Sequence, residues 1–492
     1  MRDSSVSEGG GRIDRLAEQR FDVLVVGGGI VGAGIARDAA QRGLSVALVE
    51  QYDLAFGTSS RSSRLLHGGI RYLGQGRLGL VREANREKKR LADLAPHLVE
   101  PMPFLFPTFR GGRWTRQQLG IGVKLYDLLC GGRNVGPSDT LTQSEVRTLL
   151  PSLTSPKLTG GVRYFDAQTH DARLVIDNLR AAARDGATIG NYLQFTGASR
   201  NREHWESSIV DTATNASFEI RSTVVVNATG PWSDRIPGSH TNLRPTKGVH
   251  LVVRRERFPV PNAVVMTEGK RILFAVPWGD RTYLGTTDTD YDGPLESPNC
   301  TEGDIACVLK VANRYFRDAE LGSQDVVSAW SGLRPLVARQ GGTPSDISRR
   351  HKIRMGERNW WDVTGGKLTT YRLMAEQTVD RLARQAGFSC GPCATRSTPL
   401  CEGLPTERIS SVHPPPVTQA AVQHYCRHEW VHHLDDIMTR RTSWRHYVDD
   451  PDDTAVTVAG WMAEELSWSE SRVAGEVEAY KAAGIRLLKN EN

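Results

Sequence analysis

The segment "RSSRLLHGGIRYL" (61–73) sets three arginines, a histidine and a tyrosine around a Gly-Gly pair. Guanidinium groups take phosphate or carboxylate oxygens two at a time. Imidazole exchanges a proton near neutral pH. Arg334 stands in "WSGLRPL" (330–336), after the apolar run 326–330, where a strand aims it inward. Lys367 follows Gly365-Gly366 directly. These cations suit a small anion whose reaction moves a proton.

Such side chains need elements to hold them. Residues 21–26 are a continuous apolar run that predicts a buried strand. Gly27-x-Gly29-x-x-Gly32 follows at once, a helix opens at Ile30 and stops near Gly43, and a second strand (45–49) ends in Glu50. Glycines there permit a tight turn, close approach of a pyrophosphate and packing of helix on strand, and the helix N-terminus faces the phosphates. Glu50 is placed to accept hydrogen bonds from a ribose. With strands on both sides the motif predicts a dinucleotide site, without separating FAD from NAD. "RSTVVVNATG" (221–230) is a late strand ending in Ala228-Thr229-Gly230, and its return to the same crevice favours FAD. In "WWDVTGGKLTTYR" (360–372) a strand leads through Gly366 and Lys367 into a helix that begins near Leu368 or Thr369. Three such junctions spread along the chain imply one domain interrupted by insertions.

At 492 residues the chain implies two or three domains. The net charge of +6 reads as dispersed surface lysine and arginine, and no nucleic acid is expected as a partner. The first twenty residues lack the apolar core of a signal peptide, and no run is long enough for a spanning helix. A cytosolic or membrane-peripheral protein is expected. Seven cysteines make no disulfide framework, and Cys390-Gly-Pro-Cys393 reads as a turn. Residues 110–133 mix Arg and Lys with Trp, Tyr and Leu, the composition of an interfacial amphipathic helix or of one docked on its own domain. "HEWVH" (428–432) matches the zinc-protease pattern H-E-x-x-H, but no third ligand follows, so no metal is expected.

In order along the chain, "VVGGGIVGAGIARDAAQRGLSVALVE", "GTSSRSSRLLHGGIRYL", "NATGPWSD", "GTTDTDY", "SGLRPL" and "GGKLTTYR" resemble FAD-dependent glycerol-3-phosphate dehydrogenases, of the D-amino-acid-oxidase-like flavoproteins. The resemblance runs from about residue 20 to 400. It implies oxidation of sn-glycerol 3-phosphate to dihydroxyacetone phosphate, hydride passing from C2 to flavin N5 and electrons to a membrane quinone. It also implies peripheral attachment to the inner face of the cytoplasmic membrane, with a homodimer possible. Arg71 and Arg334 become the phosphate ligands, with Tyr72, Lys247 and His250 beside them. His67 is the preferred base, and Lys367 instead holds the substrate oxygen or steadies charge on the reduced flavin. Arg61 and Arg64 read as solvated. Thr58, Ser59, Ser60, Leu66 and Gly68 join the glycine motif, 228–230 and 366–369 as cofactor contacts, and Asp288 reads as structural.

The expected fold is α/β. A discontinuous Rossmann-like FAD-binding domain (21–100, 150–235 and 345–390) carries an amphipathic insertion (101–149) and an antiparallel-sheet substrate domain (236–344). A disordered tail (1–20) precedes it and a short helical C-terminal region (405–492) follows. The alternatives are an oxidase using oxygen, an amino-acid-oxidase-like enzyme and a flavin binder without catalysis. Two arginines plus Lys247 exceed what a single carboxylate needs, and His67 and Lys367 argue against lost catalysis.

Overall fold

The computed structural model describes residues 9–131, 134–269, 271–337, 351–400 and 409–483. Arg20–Val26 is a strand in which neighbouring residues feed different cores. Val23 and Val25 pack against helices Ile30–Gln41, Asp171–Arg184 and Tyr371–Ala386, whereas Leu24 and Val26 meet Phe195, Trp205 and Trp360. Both faces are apolar because both are covered, as expected of a parallel strand.

Among the described residues this sheet runs Lys352–Met355, Trp360–Thr364, Ser217–Asn227, Arg20–Val26, Val46–Glu50, Thr188–Asn191. The last five are parallel, and the first is antiparallel to its neighbour. Their C-terminal ends therefore open on one edge, where Gly27, Gln51, Ala228 and Gly365 follow. The meander Leu193–Arg200 and Trp205–Asp211 extends Ser217–Asn227 on its antiparallel side.

A second, mostly antiparallel sheet faces that edge. Its axis is Leu243–Arg254, paired with Val326–Val337 on one side and Arg281–Gly285 on the other. Helix Glu302–Tyr315 covers it with Ile305, Val308 and Ala312 packed on Val249, Leu251 and Leu284. The C-terminal helices Gln419–His428, Pro451–Leu466 and Glu470–Ala482 surround a core of their own with Tyr425, Trp444 and Met462.

The expected boundaries shift in three places. Gly9–Glu18 is a helix, not tail, because Leu16 is buried beside Phe21 and Leu193; residues 1–8 lie outside the described residues. Glu100–Phe109 is an internal strand of the second sheet, not part of an amphipathic insertion. Leu158–Gln168 and Leu65–Leu66 also join the second sheet although they fall in stretches assigned to the FAD-binding domain. Ladder partners distant in sequence decide these memberships.

Candidate active site

The glycine loop leaves no space for side chains. Gly27 has φ +112°, and a Cβ there would stand 2.7 Å from the Ala228 carbonyl oxygen. Gly29 and Ile30 line a cavity at the helix N-terminus, and the Ile30 N–H donates to Ser59 Oγ at 3.0 Å. The Glu50 carboxylate closes the second strand, accepting from the N–H groups of Gly28 (2.7 Å) and Tyr52 (3.0 Å). Burial raises its pKa, and those two donors oppose the rise. Thr58, Ala228, Thr229, Gly230, Gly366, Leu368 and Thr369 line the same cavity. A backbone cradle at a helix N-terminus with a carboxylate at the next strand end fits an adenine dinucleotide.

His67, His250, Arg334 and Lys367 line that cavity too. His67 is pinned through its backbone: its N–H donates to Thr369 Oγ1 (3.0 Å), and its carbonyl accepts from the same hydroxyl (3.2 Å). Arg334 projects from Val326–Val337 opposite Thr246 and is aimed by Asp288 Oδ1 (3.2 Å), Thr286 Oγ1 (3.2 Å) and the Thr287 carbonyl (3.3 Å). A Cβ at Gly248 would come within 2.5 Å of this guanidinium, so the missing side chain makes its room. His250 stacks on Trp330 and sits 2.9 Å from Ser63 Oγ. Burial, then Arg334 and Arg64, bring its pKa down to about 3, so the ring is neutral at working pH. The Lys367 ammonium lies 4.3 Å from the Tyr72 ring centre, a cation–π distance.

Residues 61–64 form the seam between the two sheets. Trp330 donates its indole N–H to the Ser62 carbonyl (3.0 Å), and Tyr283 donates to that of Ser63 (3.1 Å). A Cβ at Gly332 would fall 2.1 Å from the Arg61 carbonyl oxygen. Arg64 is buried between Trp278 and Trp330 (4.6 and 4.8 Å to the ring centres) and donates to Ser443 Oγ at 3.0 Å. Arg61 lines the cavity and donates to the Glu296 carbonyl at 3.1 Å. Arg64 is not solvated, contrary to expectation, because tryptophans from distant strands close over it, and Arg61 is half-buried with its guanidinium 4.9 Å from the Phe56 ring centre. Tyr52, Ser63 and Trp232 also line the cavity and were missed. The place of Tyr52 just after Glu50 and of Trp232 in "NATGPW" was the available signal.

Residues 22–381 match a family model described as FAD dependent oxidoreductase, and residues 366–473 match the C-terminal domain of alpha-glycerophosphate oxidase. The chain is 38% identical over 402 residues to the aerobic glycerol-3-phosphate dehydrogenase of Staphylococcus aureus, covering 79% of this chain and 72% of that protein. The chain belongs to the FAD-dependent glycerol-3-phosphate dehydrogenase family. The solved glycerol-3-phosphate dehydrogenase of Bacillus halodurans, complexed with FAD, superposes with a TM-score of 0.80 at 28% identity, over 98% of this chain and 99% of that one. An L-alpha-glycerophosphate oxidase from Mycoplasma pneumoniae shares the fold at a TM-score of 0.61 and 17% identity, over 76% and 96%.

As a member of this dehydrogenase family the chain takes FAD, yet several expected contacts stand away from the cavity lining. A Cβ at Gly32 would fall 1.9 Å from the Gly27 carbonyl oxygen, so Gly32 serves helix–loop packing. The Ser60 hydroxyl donates to the Phe56 carbonyl at 3.4 Å, and Leu66 is in the core. Gly68 is pressed against Asn85 and Tyr126 and donates its N–H to Tyr126 Oη at 2.8 Å. Tyr72 is buried behind Lys367. Lys247 faces the far side of its strand and donates to Asp304 Oδ2 (2.6 Å) and the Asn299 carbonyl (3.0 Å). Strand parity, not distance along the chain, removes it from the site. The Arg71 side chain lies outside the described residues; its backbone belongs to the turn Ile70–Gln75.

The zinc-protease pattern is a structural hub in this dehydrogenase fold. Its helix ends at His428, Glu429 is the capping residue and Trp430 has φ +53°, so the two histidines do not share a helical face. The Glu429 carboxylate is fully buried and takes both arms of Arg173 (2.5 and 2.9 Å). Among the described residues no group of three metal-ligating side chains occurs. Cys393 donates to Asp38 Oδ1 at 3.0 Å, and residues 390–393 are irregular rather than the turn expected.

Proposed function

We propose that this chain oxidises sn-glycerol 3-phosphate to dihydroxyacetone phosphate and passes the electrons to a quinone. The observation that carries this reading is that Arg334, His67 and Lys367 line the cavity that the glycine cradle opens. When bound, FAD supplies a two-electron acceptor for the C2 hydride. Glu50 would hold its ribose, the Ile30 helix start with Thr58 and Ser59 its phosphates, and residues 366–369 its ring system.

The substrate ester carries nearly two negative charges. Arg334 receives it as a fork whose direction Asp288 and Thr286 fix beforehand, which spares reorganisation on binding. The turn Ile70–Gln75, whose backbone includes Arg71, meets Lys367 through Tyr72. His250 is neutral, so it contributes a hydrogen bond and not charge. His67 accepts the hydroxyl proton as the C2 hydride leaves. Lys367 holds the developing carbonyl oxygen.

The relatives' name supports the substrate, and the apolar face of one helix supports membrane attachment. Helix Arg116–Leu129 buries Leu119, Val123 and Tyr126 but leaves Ile121 and Leu128 73% and 71% exposed, beside exposed Arg113 and Lys124. That is the pattern of a helix lying in a lipid headgroup region. No described helix is long and apolar enough to cross a membrane. Anaerobic addition of glycerol 3-phosphate should bleach the bound flavin; an unchanged spectrum refutes the substrate. Reoxidation by a soluble quinone should then outpace reoxidation by air, and the reverse order would favour an oxidase.

A further inference from the structure

Asp53 is fully buried, yet it is absent from the cavity wall that its neighbours Glu50, Gln51 and Tyr52 form. Its carboxylate is gripped from the C-terminal region. Arg441 donates through both arms, at 2.6 and 2.9 Å, and Arg440 through Nε. The grip is itself anchored. Arg440 also binds Asp435 (2.6 Å) and Asp436 (2.8 Å), and Arg441 donates to the Glu429 carbonyl at 2.6 Å. Glu429 is in turn held by Arg173 of helix Asp171–Arg184, and Asp436 accepts from Tyr192 at 2.6 Å.

The loop under this grip backs the glycine cradle. The Ala55 N–H donates to the Gly28 carbonyl at 3.0 Å, and a Cβ at Gly28 would stand 3.0 Å from Leu54 and 2.9 Å from Glu50. Glu50 and Tyr52 project from this loop into the cavity. A shift of Asp53 would therefore move the carboxylate placed for the ribose. We infer that Asp53 with Arg440 and Arg441 forms a latch by which the C-terminal helical region holds the cofactor-lining loop in its FAD-binding shape. These three are positioning residues, acting on FAD through Glu50 and Tyr52 rather than by contact. The latch joins residues nearly four hundred positions apart, so the C-terminal region and the cofactor site are coupled.

Coupling is reciprocal: if the latch favours FAD, FAD must favour the latch. Hydrogen–deuterium exchange on the wild-type protein reads this directly. Amides in 430–442 should exchange at least tenfold slower in the holoenzyme than after FAD removal, and equal rates overturn the inference. Flavin release into buffer, followed by fluorescence, is the second readout. Arg441→Lys keeps the charge but loses the fork, and FAD should dissociate at least tenfold faster. Arg42→Lys is the control, since Arg42 makes a similar buried pair with Asp38 (2.6 Å) at the far end of the glycine-loop helix. Its release rate should stay within twofold of wild type. Equal acceleration in both variants would mean general loosening and would overturn the latch. Neither readout uses turnover, so failure here is separable from failure of the proposed reaction.

Discussion

Lys247 and His250 stand three residues apart on one strand and face opposite ways: the ammonium meets Asp304 at 2.6 Å, and the imidazole turns into the cavity against Ser63 at 2.9 Å. Lys247→Met should therefore leave the KM for glycerol 3-phosphate within about twofold of wild type. It strands a buried carboxylate, which destabilises by roughly 3 kcal/mol. Steady-state kinetics and urea unfolding check the two halves. A large KM rise without a stability loss would return Lys247 to the substrate site.

Glu429 behaves as an anchor and not as a general base. Glu429→Ala leaves Arg173 buried without its main partner and should destabilise the protein by about 3–5 kcal/mol. Purified wild-type protein should hold no stoichiometric zinc. Elemental analysis showing one zinc per chain, with a stable Glu429→Ala variant, would revive the hydrolytic reading.

Acidification should destabilise the fold through its buried histidines. Burial depresses His170, His250, His424, His432 and His446, with His424 and His432 near 4 and His250 near 3. An unfolded histidine titrates near 6.5. Below about pH 6.5 the unfolded chain takes up protons that the folded one refuses, so stability falls by about 1.4 kcal/mol per pH unit for each such histidine. His433 has the opposite sign, because its hydrogen bond to Glu476 raises its pKa. Its contribution is present below about 6.5 and lost as pH rises through its folded pKa. The five outweigh the one, so the thermal midpoint should drop between pH 7 and 5. A flat or rising profile would contradict the burial of these rings.

The exposed pair Ile121 and Leu128 is expected to carry lipid affinity. Replacing both by serine should lower co-sedimentation with anionic vesicles at least tenfold, since each removes apolar area worth roughly 1–2 kcal/mol when inserted. Flavin content should not change. Retained binding would place the membrane face elsewhere.

What could be read from the sequence was what local geometry dictates. Gly27 and Gly29 announce a cradle because few other residues tolerate its backbone and clearance, and Glu50 follows at the end of the next strand. The run 21–26 declares a strand covered on both faces. Membership of the second sheet was hidden, because Leu158–Gln168 is assigned by partners such as Glu100–Phe109 rather than by its own residues. Lys247 was misread because strand parity needs a register. Arg64 was misread because its tryptophan walls and Ser443 come from three distant segments. The break in HEWVH could not be read, because a left-handed Trp430 leaves no mark in the pattern.

The proposed phosphate grip at Arg334 is tested most directly by the rate of anaerobic flavin reduction, measured with glycerol 3-phosphate and with glycerol, in wild type and in Arg334→Met. Losing a charge-assisted fork of roughly 1.5–3 kcal/mol should weaken glycerol 3-phosphate about 10- to 100-fold at low concentration and leave the slow reaction with glycerol unchanged. Equal losses for both alcohols, or none for the phosphate ester, would show that Arg334 does not hold the phosphate.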